Sequence, residues 1–497
     1  MNRFRIKKPY LFIFFLAIVT RTAAAFFSGG YLFDAEHFAI IETASRLANT
    51  GWTTQLAVVS ETGSWFVFIH VMVFKALQTM HITNPELSVM IIRVMLALFS
   101  FNTIIAGYKI VNKSFNPRIA SFTGILLAGL WFMPWLTVRN ADILASIPLF
   151  MTAVYFMGLH LNSKNFILPF LAGILSGLGF LLAFDSWVFI IALVISLTVF
   201  RKLTTAVIYM LAFAASVVSV QLPVDLYNNA PPLNPILNYF NNLFSDITFN
   251  NSWFYFVITP FILLIPPVSF FIFRGIVTSF KKLYFIAVPG LICLLAGILI
   301  ENFGIYLVIF SLPFLIVAGS SGWIVFIGSS AFWKVHRSGY YLLLICFWSL
   351  NFLLLPFSTT LFSRSSEVEA MVFLSKYDQL NYFVVEQTVG EKRVYMPRFY
   401  LNQNCGEIII DNLFTADSLG TLLRAYPEHD PRFILFYGEK NLKKRIESIY
   451  PVLPNISYVT SIRPRISERV LKYLISSYPA ETIIIYKNNY FIQTQVQ

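Results

Sequence analysis

Read from its N-terminus, the chain is a succession of long apolar runs separated by short basic stretches. A helix needs about 20 apolar residues to cross a hydrocarbon core. Runs that suit this occupy 9–29, 88–108, 119–138, 142–160, 166–184, 186–200, 203–222, 253–273, 283–300, 304–333 and 340–358. The tenth carries GSSG at 319–322, which predicts a tilted or broken span. Two longer stretches interrupt the series, 30–87 and 223–252. In the first, EHFAIIETASRLA places Phe38, Ile41, Ala44 and Leu47 at helical spacing, the pattern of a helix lying in the membrane interface. Beyond 358 the pattern changes. Short β-like runs, RVYMP (393–397), EIIID (407–411), RFILFYG (432–438) and TIIIYK (482–487), alternate with EKNLKKRIESI (439–449) and ISERVLKYLIS (466–476), which suit helices. Strands alternating with helices predict a small α/β domain. The expected fold class is thus an all-α polytopic membrane bundle of about eleven spans over 1–358, with interfacial helices in its first outer loop and an α/β domain over 359–497.

Composition agrees with the pattern. Of the 497 residues 57% are hydrophobic and only 12% charged, against about 25% charged in soluble domains, and the mean hydropathy is +0.70. A formal charge of +12 could suggest nucleic acid, but the basic residues lie between apolar runs. Arg3, Arg5, Lys7, Lys8, Lys109, Lys113, Arg118, Lys164, Arg201, Lys202, Arg274, Lys281, Lys282, Lys334 and Arg337 all fall on one side of an eleven-span arrangement. The positive-inside rule makes that side the cytoplasm, with the N-terminus in and the C-terminus out. Nucleic acid is therefore not an expected partner. The N-terminal MNRFRIKK and its apolar run continue through TAAAFFSGG into more of the same, so an uncleaved first helix is expected. The three cysteines form no disulfide framework or metal-ligand spacing.

Chemistry concentrates where the first run surfaces. YLFDAEHFAIIE (31–42) holds Asp34, Glu36, His37 and Glu42. A carboxylate at the membrane surface suits a general base acting on a sugar hydroxyl. The alternative is that Asp34 caps a helix whose first turn holds Glu36. On the same side lie Arg21, Arg139, Asp142, Asp185, Asp225 and Glu301. Charges at membrane depth are costly unless paired or wet, which makes them site candidates, mutual neutralisation being the other reading. A guanidinium there suits a phosphate headgroup. The second long loop, VDLYNNAPPLNPILNYFNN, adds Tyr227, Asn238, Tyr239 and Asn241, aromatic faces and amides of the kind that bind sugars, or an aromatic belt at the interface.

Taken in order, these features resemble the GT-C class of membrane glycosyltransferases, and within it the mannosyltransferases of GPI-anchor and lipid-linked-oligosaccharide assembly. Arg21 followed by FDAEHFAIIE fills the places of that family's first-span Arg and loop acids, with Glu36, Phe38 and Glu42 in register. Gly51, Thr53, Thr54 and GSWFVF echo its next stretch, VRNAD (138–142) its later Arg, and VDLYNNAPPLNPILNYFNN with WFYFVITP its Asp-Tyr-Asn run. The chain departs from the family at Ala35, where its catalytic Asp would stand, at Gly63, at FDSW (184–187) and at NFGIY (302–306). The resemblance implies inverting transfer of a hexose, mannose by family, from a polyprenyl-phosphate donor, with an outward carboxylate of the first loop as base; a lipid-linked or surface glycan is the expected acceptor, on the outer face of what is expected to be a bacterial inner membrane. Asp34, one position before the place of the family's catalytic Asp, and then Glu36 are the expected bases, and Arg21 and Arg139 the candidates for the donor phosphate. His37, Glu42, Asp142, Asp225, Tyr227, Asn238, Tyr239 and Asn241 are the candidates for substrate contacts. No cofactor is implied, a divalent metal stays open, and membrane lipids are the expected surroundings. A non-catalytic component of a surface-assembly or export machine is the rival reading, favoured by the altered motifs.

Overall fold

A computed structural model describes residues 9–31, 33–50, 65–245, 247–250, 253–378, 380–387, 394–403, 405–411, 414–474, 478 and 480–489. The Gly51, Thr53, Thr54 and Gly63 comparisons lie outside the described residues. The chain divides into two compact units, one of Met1–Phe27, Thr43–Met80 and Met90–Thr360, the other of Ser28–Glu42, His81–Val89 and Leu361–Gln497.

The first unit is helical: α1 (Pro9–Phe27), α2 (Thr43–Ala48), α3 (Trp65–Thr79), α4 (Pro85–Ser114), α5 (Pro117–Gly129), α6 (Met133–Leu136), α7 (Asp142–Ser163), α8 (Ile167–Leu182), α9 (Trp187–Val199), α10 (Leu203–Tyr227), α11 (Asn234–Ser245), α12 (Trp253–Leu263), α13 (Val268–Leu299), α14 (Gly304–Ser329), α15 (Ala331–Val335) and α16 (Arg337–Thr359). Among the described residues seven helices are long and apolar enough to cross a membrane, and four shorter apolar helices accompany them. The protein is a multi-pass membrane protein.

Two boundaries differ from the pattern reading. The expected spans 253–273 and 283–300 are instead a short α12 and a 32-residue α13. Pro266 and Pro267 interrupt the first run, since proline lacks the donor that would continue a helix. The helix then continues through Arg274, Lys281 and Lys282, changing direction at Leu283 (φ −122°, ψ 27°) rather than opening into a loop. GSSG does not break α14. Gly319 and Gly322 bring its backbone against Ile272 and Gly275 of α13, where an added Cβ at Gly275 would stand 2.0 Å from the Gly319 carbonyl oxygen. Ser279 Oγ donates to Ala318 O at 2.8 Å across the same crossing. Small residues let helices approach closely where lipid gives no hydrophobic drive.

The second unit carries a five-stranded sheet in the order β4-β3-β5-β7-β6, built from β3 (Tyr382–Glu386), β4 (Gly406–Ile410), β5 (Phe433–Tyr437), β6 (Ile456–Ile462) and β7 (Ile483–Asn488). β3 lies parallel to β4 and β5, and β7 antiparallel to β5 and β6. Helices α17 (Ser365–Leu374), α18 (Ala416–Ala425), α19 (Leu442–Ile449) and α20 (Ile466–Leu474) complete it. The α/β expectation holds, with corrections. In the expected strand RVYMP, residues 394–397 are not strand. Val394 N donates to the Gln387 side chain at 3.1 Å and Met396 N to Glu407 Oε1 at 3.0 Å, so side chains take the place of a ladder. β3 and β6 were not expected.

The segment that follows α1 belongs to this second unit. β1 (Gly29–Gly30) pairs in parallel with β2 (Phe362–Ser363). Gly30 has φ +63°, and a Cβ there would lie 1.6 Å from Ser363 O, so only glycine fits. Tyr31 is buried in the core that Val368, Met371, Phe383, Leu401, Phe433 and Ile485 form on one face of the sheet.

Candidate active site

Ala35–Glu42 is a π-helix, a wide winding that recurs at functional sites. Of the four ionisable groups in this stretch only Asp34 is substantially exposed, at 48% of its side chain. Glu36 and His37 are buried and Glu42 is mostly covered. The carboxylate of Asp34, the candidate cap in one reading, is held by Arg364, Nη2 to Oδ1 at 2.8 Å. Arg364 Nη1 reaches buried Glu367 Oε1 at 3.0 Å. Glu367 also accepts from the Tyr437 hydroxyl at 3.0 Å and from Tyr31 Oη. Burial and then the Glu367 charge push both phenols well above their ordinary range. Burial draws the Arg364 cation down, but Glu367, Tyr31 and Asp34 outweigh it and hold the guanidinium charged.

His37 is stacked between two rings, 4.7 Å from Tyr31 and 5.4 Å from Tyr400. Its Nε2 lies 3.4 Å from Glu42, whose carboxylate accepts the Phe399 amide at 3.1 Å. These two substrate candidates therefore anchor the segment within its own unit. The interfacial stripe is likewise covered by protein: Ile41, Ala44 and Leu47 are buried.

In the membrane unit the expected phosphate ligands separate. Arg21 is buried and satisfied internally, Nε on Ser100 Oγ at 2.8 Å and its two terminal nitrogens on the carbonyls of Ala128 and Leu127, each at 3.2 Å. Those carbonyls are the last of α5, unpaired by its own backbone and at the negative end of its dipole. Arg21 is a C-terminal cap. Arg139 instead lies over the Trp135 ring at 4.7 Å and lines a small pocket of about 20 Å³, room for a water or two, with Ser100, Thr103 and Thr137. This pocket shares Leu96, Phe99 and Ala145 with an apolar groove of about 460 Å³ that Trp65, Ile69, Leu149, Leu182 and Val220 also line.

Asp142, at the start of α7, and Asp185, beside α9, converge on Tyr239 of α11, whose hydroxyl donates to Asp185 Oδ1 at 2.5 Å. Burial, then the Asp185 charge, with Asp142 adding to it, pushes the Tyr239 phenol far up. Sequence reading named Asp185 only as a charge at the membrane edge; its pairing with Tyr239 has no local signal. Asn238 and Asn241 lie on the exposed face of α11, away from Tyr239 and from the buried Ile236 and Leu243. Asp225 is buried and structural: Gln221 donates to Oδ1 at 2.9 Å and Leu233 N to Oδ2 at 2.7 Å. Tyr227 is exposed. Glu301 is also exposed, and its amide bonds Thr248 O at 3.0 Å.

Among the described residues no cluster of three or more His, Cys, Asp or Glu could hold a metal. At the C-terminal ends of β3 and β5, where open α/β sheets take ligands, Arg445 fills the space. It donates to the carbonyls of Glu386, Tyr437 and Gly438 at 2.9, 3.0 and 2.9 Å and pairs with the Glu386 carboxylate.

A long-helix membrane unit joined to a small α/β unit is the architecture of the GT-C glycosyltransferases, and the chain has that fold. ArnT from Cupriavidus metallidurans in the apo state matches it with TM-score 0.61 at 11% identity, over 96% of this chain and 97% of that one. The same protein bound to undecaprenyl phosphate matches with TM-score 0.58 at 12% identity, over 97% and 98%. The Archaeoglobus fulgidus oligosaccharyltransferase tethered to an acceptor peptide is more distant, with TM-score 0.46 at 12% identity over 87% and 69%. The family model described as dolichyl-phosphate-mannose-protein mannosyltransferase matches residues 74–224. No curated protein matches by sequence. The GT-C resemblance read from the residues is borne out.

Proposed function

We propose that the protein transfers a hexose, mannose by the description of the matching family, from a polyprenyl-phosphate carrier to a glycan or glycolipid acceptor. The observation that carries this reading is the apolar groove, suited to a lipid tail, that ends beside the small pocket lined by Arg139. ArnT, the fold's match along nearly its whole length, has been solved with undecaprenyl phosphate bound, which supports the same ligand class. We assign the lipid phosphate to Arg139 rather than Arg21, whose donors are committed to α5. Tyr239 with Asp142 and Asp185 is assigned to sugar hydroxyls.

The base is Asp34, the exposed acid of its segment. It takes the proton of an acceptor hydroxyl. That oxygen attacks the anomeric carbon from the face opposite the carrier, and the bond from that carbon to the phosphate oxygen breaks. Polyprenyl phosphate leaves with the electron pair, and the sugar is inverted. The charge pattern supports an orientation with the N-terminus in the cytoplasm and Asp34 outside.

The phosphate assignment is tested with purified protein, radiolabelled polyprenyl-phosphate mannose and the lipid extract of the source membrane as acceptor. Arg139→Met is expected to raise the donor KM, and a donor KM unchanged in that variant removes the phosphate assignment. Absence of transfer by the wild type, with donor binding retained, would favour the non-catalytic assembly component.

A further inference from the structure

We propose that Arg364, at the root of the α/β domain, is a positioning residue for the Asp34 carboxylate; this rests on the reading of Asp34 as the base. The guanidinium makes two contacts of different kinds: Nη2 meets exposed Asp34 at 2.8 Å, and Nη1 meets Glu367, buried at 1% exposure, at 3.0 Å. The second is an anchor. Glu367 is fixed by hydroxyls from two directions, Tyr31 and Tyr437, and cannot move without leaving a buried charge unpaired. The first contact is then the free arm of a clamped fork.

The backbone is held as firmly. Arg364 adopts a left-handed conformation, φ 54° and ψ 43°, which L-residues take up at a cost and keep only where the surroundings impose it. The imposing contacts come from the next residue. Ser365 N donates to buried Glu468 of α20 at 3.0 Å, its hydroxyl bonds the same carboxylate, and Arg465 N donates to Ser365 Oγ at 3.0 Å. The Tyr31 ring lies 5.3 Å beneath the guanidinium carbon. Glu367 and the Tyr31 ring thus hold the guanidinium, Ser365 and Glu468 fix the backbone beside it, and its outward arm ends on the Asp34 oxygen.

A surface ion pair needs no such scaffolding. A base needs it, because a misplacement of about 1 Å costs on the order of 100-fold in rate. The α/β domain therefore contributes to the transfer step itself.

The test measures transfer kinetics and detergent melting for the full-length wild type, Asp34→Asn, Arg364→Met, Arg364→Lys and Glu369→Gln. Glu369→Gln, on α17, breaks the exposed pair with Arg465, 2.9 Å, and is expected to leave activity unchanged. Arg364→Met is expected to lose kcat about 100-fold with the acceptor KM within about threefold. Arg364→Lys keeps the charge but not the fork; it is expected to recover the melting temperature and not kcat. A purely structural arginine would give kcat recovered together with melting in the lysine variant, which overturns the proposal. So does full activity in Arg364→Met when Asp34→Asn is inactive, with the transferase reading intact. No transfer by the wild type overturns that reading, and this proposal with it.

Discussion

Asp34 and Glu36 stand two residues apart, yet their surroundings give them different work. Asp34 faces outward on an arginine, while Glu36 is buried in the π-helix. Asp34→Asn is therefore expected to lower transfer by about 100- to 10,000-fold, the range for a lost general base, with melting in detergent unchanged. Full activity in that variant would move the role to Glu36. Arg21 makes the opposite prediction. Arg21→Met removes the donors to the Leu127 and Ala128 carbonyls of α5 and to Ser100, of which Ala128 keeps Thr20 and Ser100 keeps Ala97, at a cost of about 1–3 kcal/mol. A lower melting temperature with an unchanged donor KM is expected, and a raised KM would return Arg21 to the phosphate. Glu468 supplies a pH test. Burial raises its pKa above the ordinary carboxylate value despite the Ser365 hydrogen bonds. The folded state therefore holds this proton more tightly than the unfolded one, so Glu468 favours folding at low pH and opposes it once pH climbs past its raised pKa. Glu468→Gln is expected to flatten that part of the melting-versus-pH curve above pH 4.5, the group's ordinary value; an unchanged slope there would rule Glu468 out as its source.

At the scale of elements, apolar periodicity located the helices because each must bury its own backbone polar groups in lipid. It could not tell a loop from a kink at Arg274–Lys282, since a helix can carry cations where they stay wet or snorkel. GSSG looked like a breaker because glycine disfavours helices in water, but between α13 and α14 its lack of a side chain is what allows contact. Gly275→Val is expected to lower melting in detergent markedly, because its Cβ has no room against Gly319 O. Gly328→Ala, with nothing within 4 Å, is the neutral control. The missed strands β3 and β6 have different causes. β3 is buried from Phe383 to Glu386, so it lacks alternation, and β6 is an edge strand with exposed positions and a register shift at Tyr458/Thr460.

For the molecule as a whole, the division of the chain is the informative feature. Residues 28–42 follow α1 in sequence but group with the unit formed by 361–497. The β1–β2 pairing, the burial of Tyr31 and the Arg364 contact all come from the far end of the chain. Deletion of 361–497 is expected to abolish transfer and to speed amide exchange across 29–42 while α1 stays protected. Unchanged exchange there would mean that the segment folds without the domain.

Apolar pattern and charge alone determined that this is a many-helix membrane protein with an α/β tail, because hydrophobic runs of spanning length admit few other structures. They also singled out the acidic stretch at 31–42, since four ionisable groups beside a span are costly without a purpose. Tertiary structure decided the rest: that Arg21 closes a helix while Arg139 lines a small pocket, that Asp185 joins Asp142 on Tyr239, and that Asp34 pairs with Arg364. Each of those choices depends on a partner far away in the chain, and neither periodicity nor spacing carries a signal for a contact of that kind.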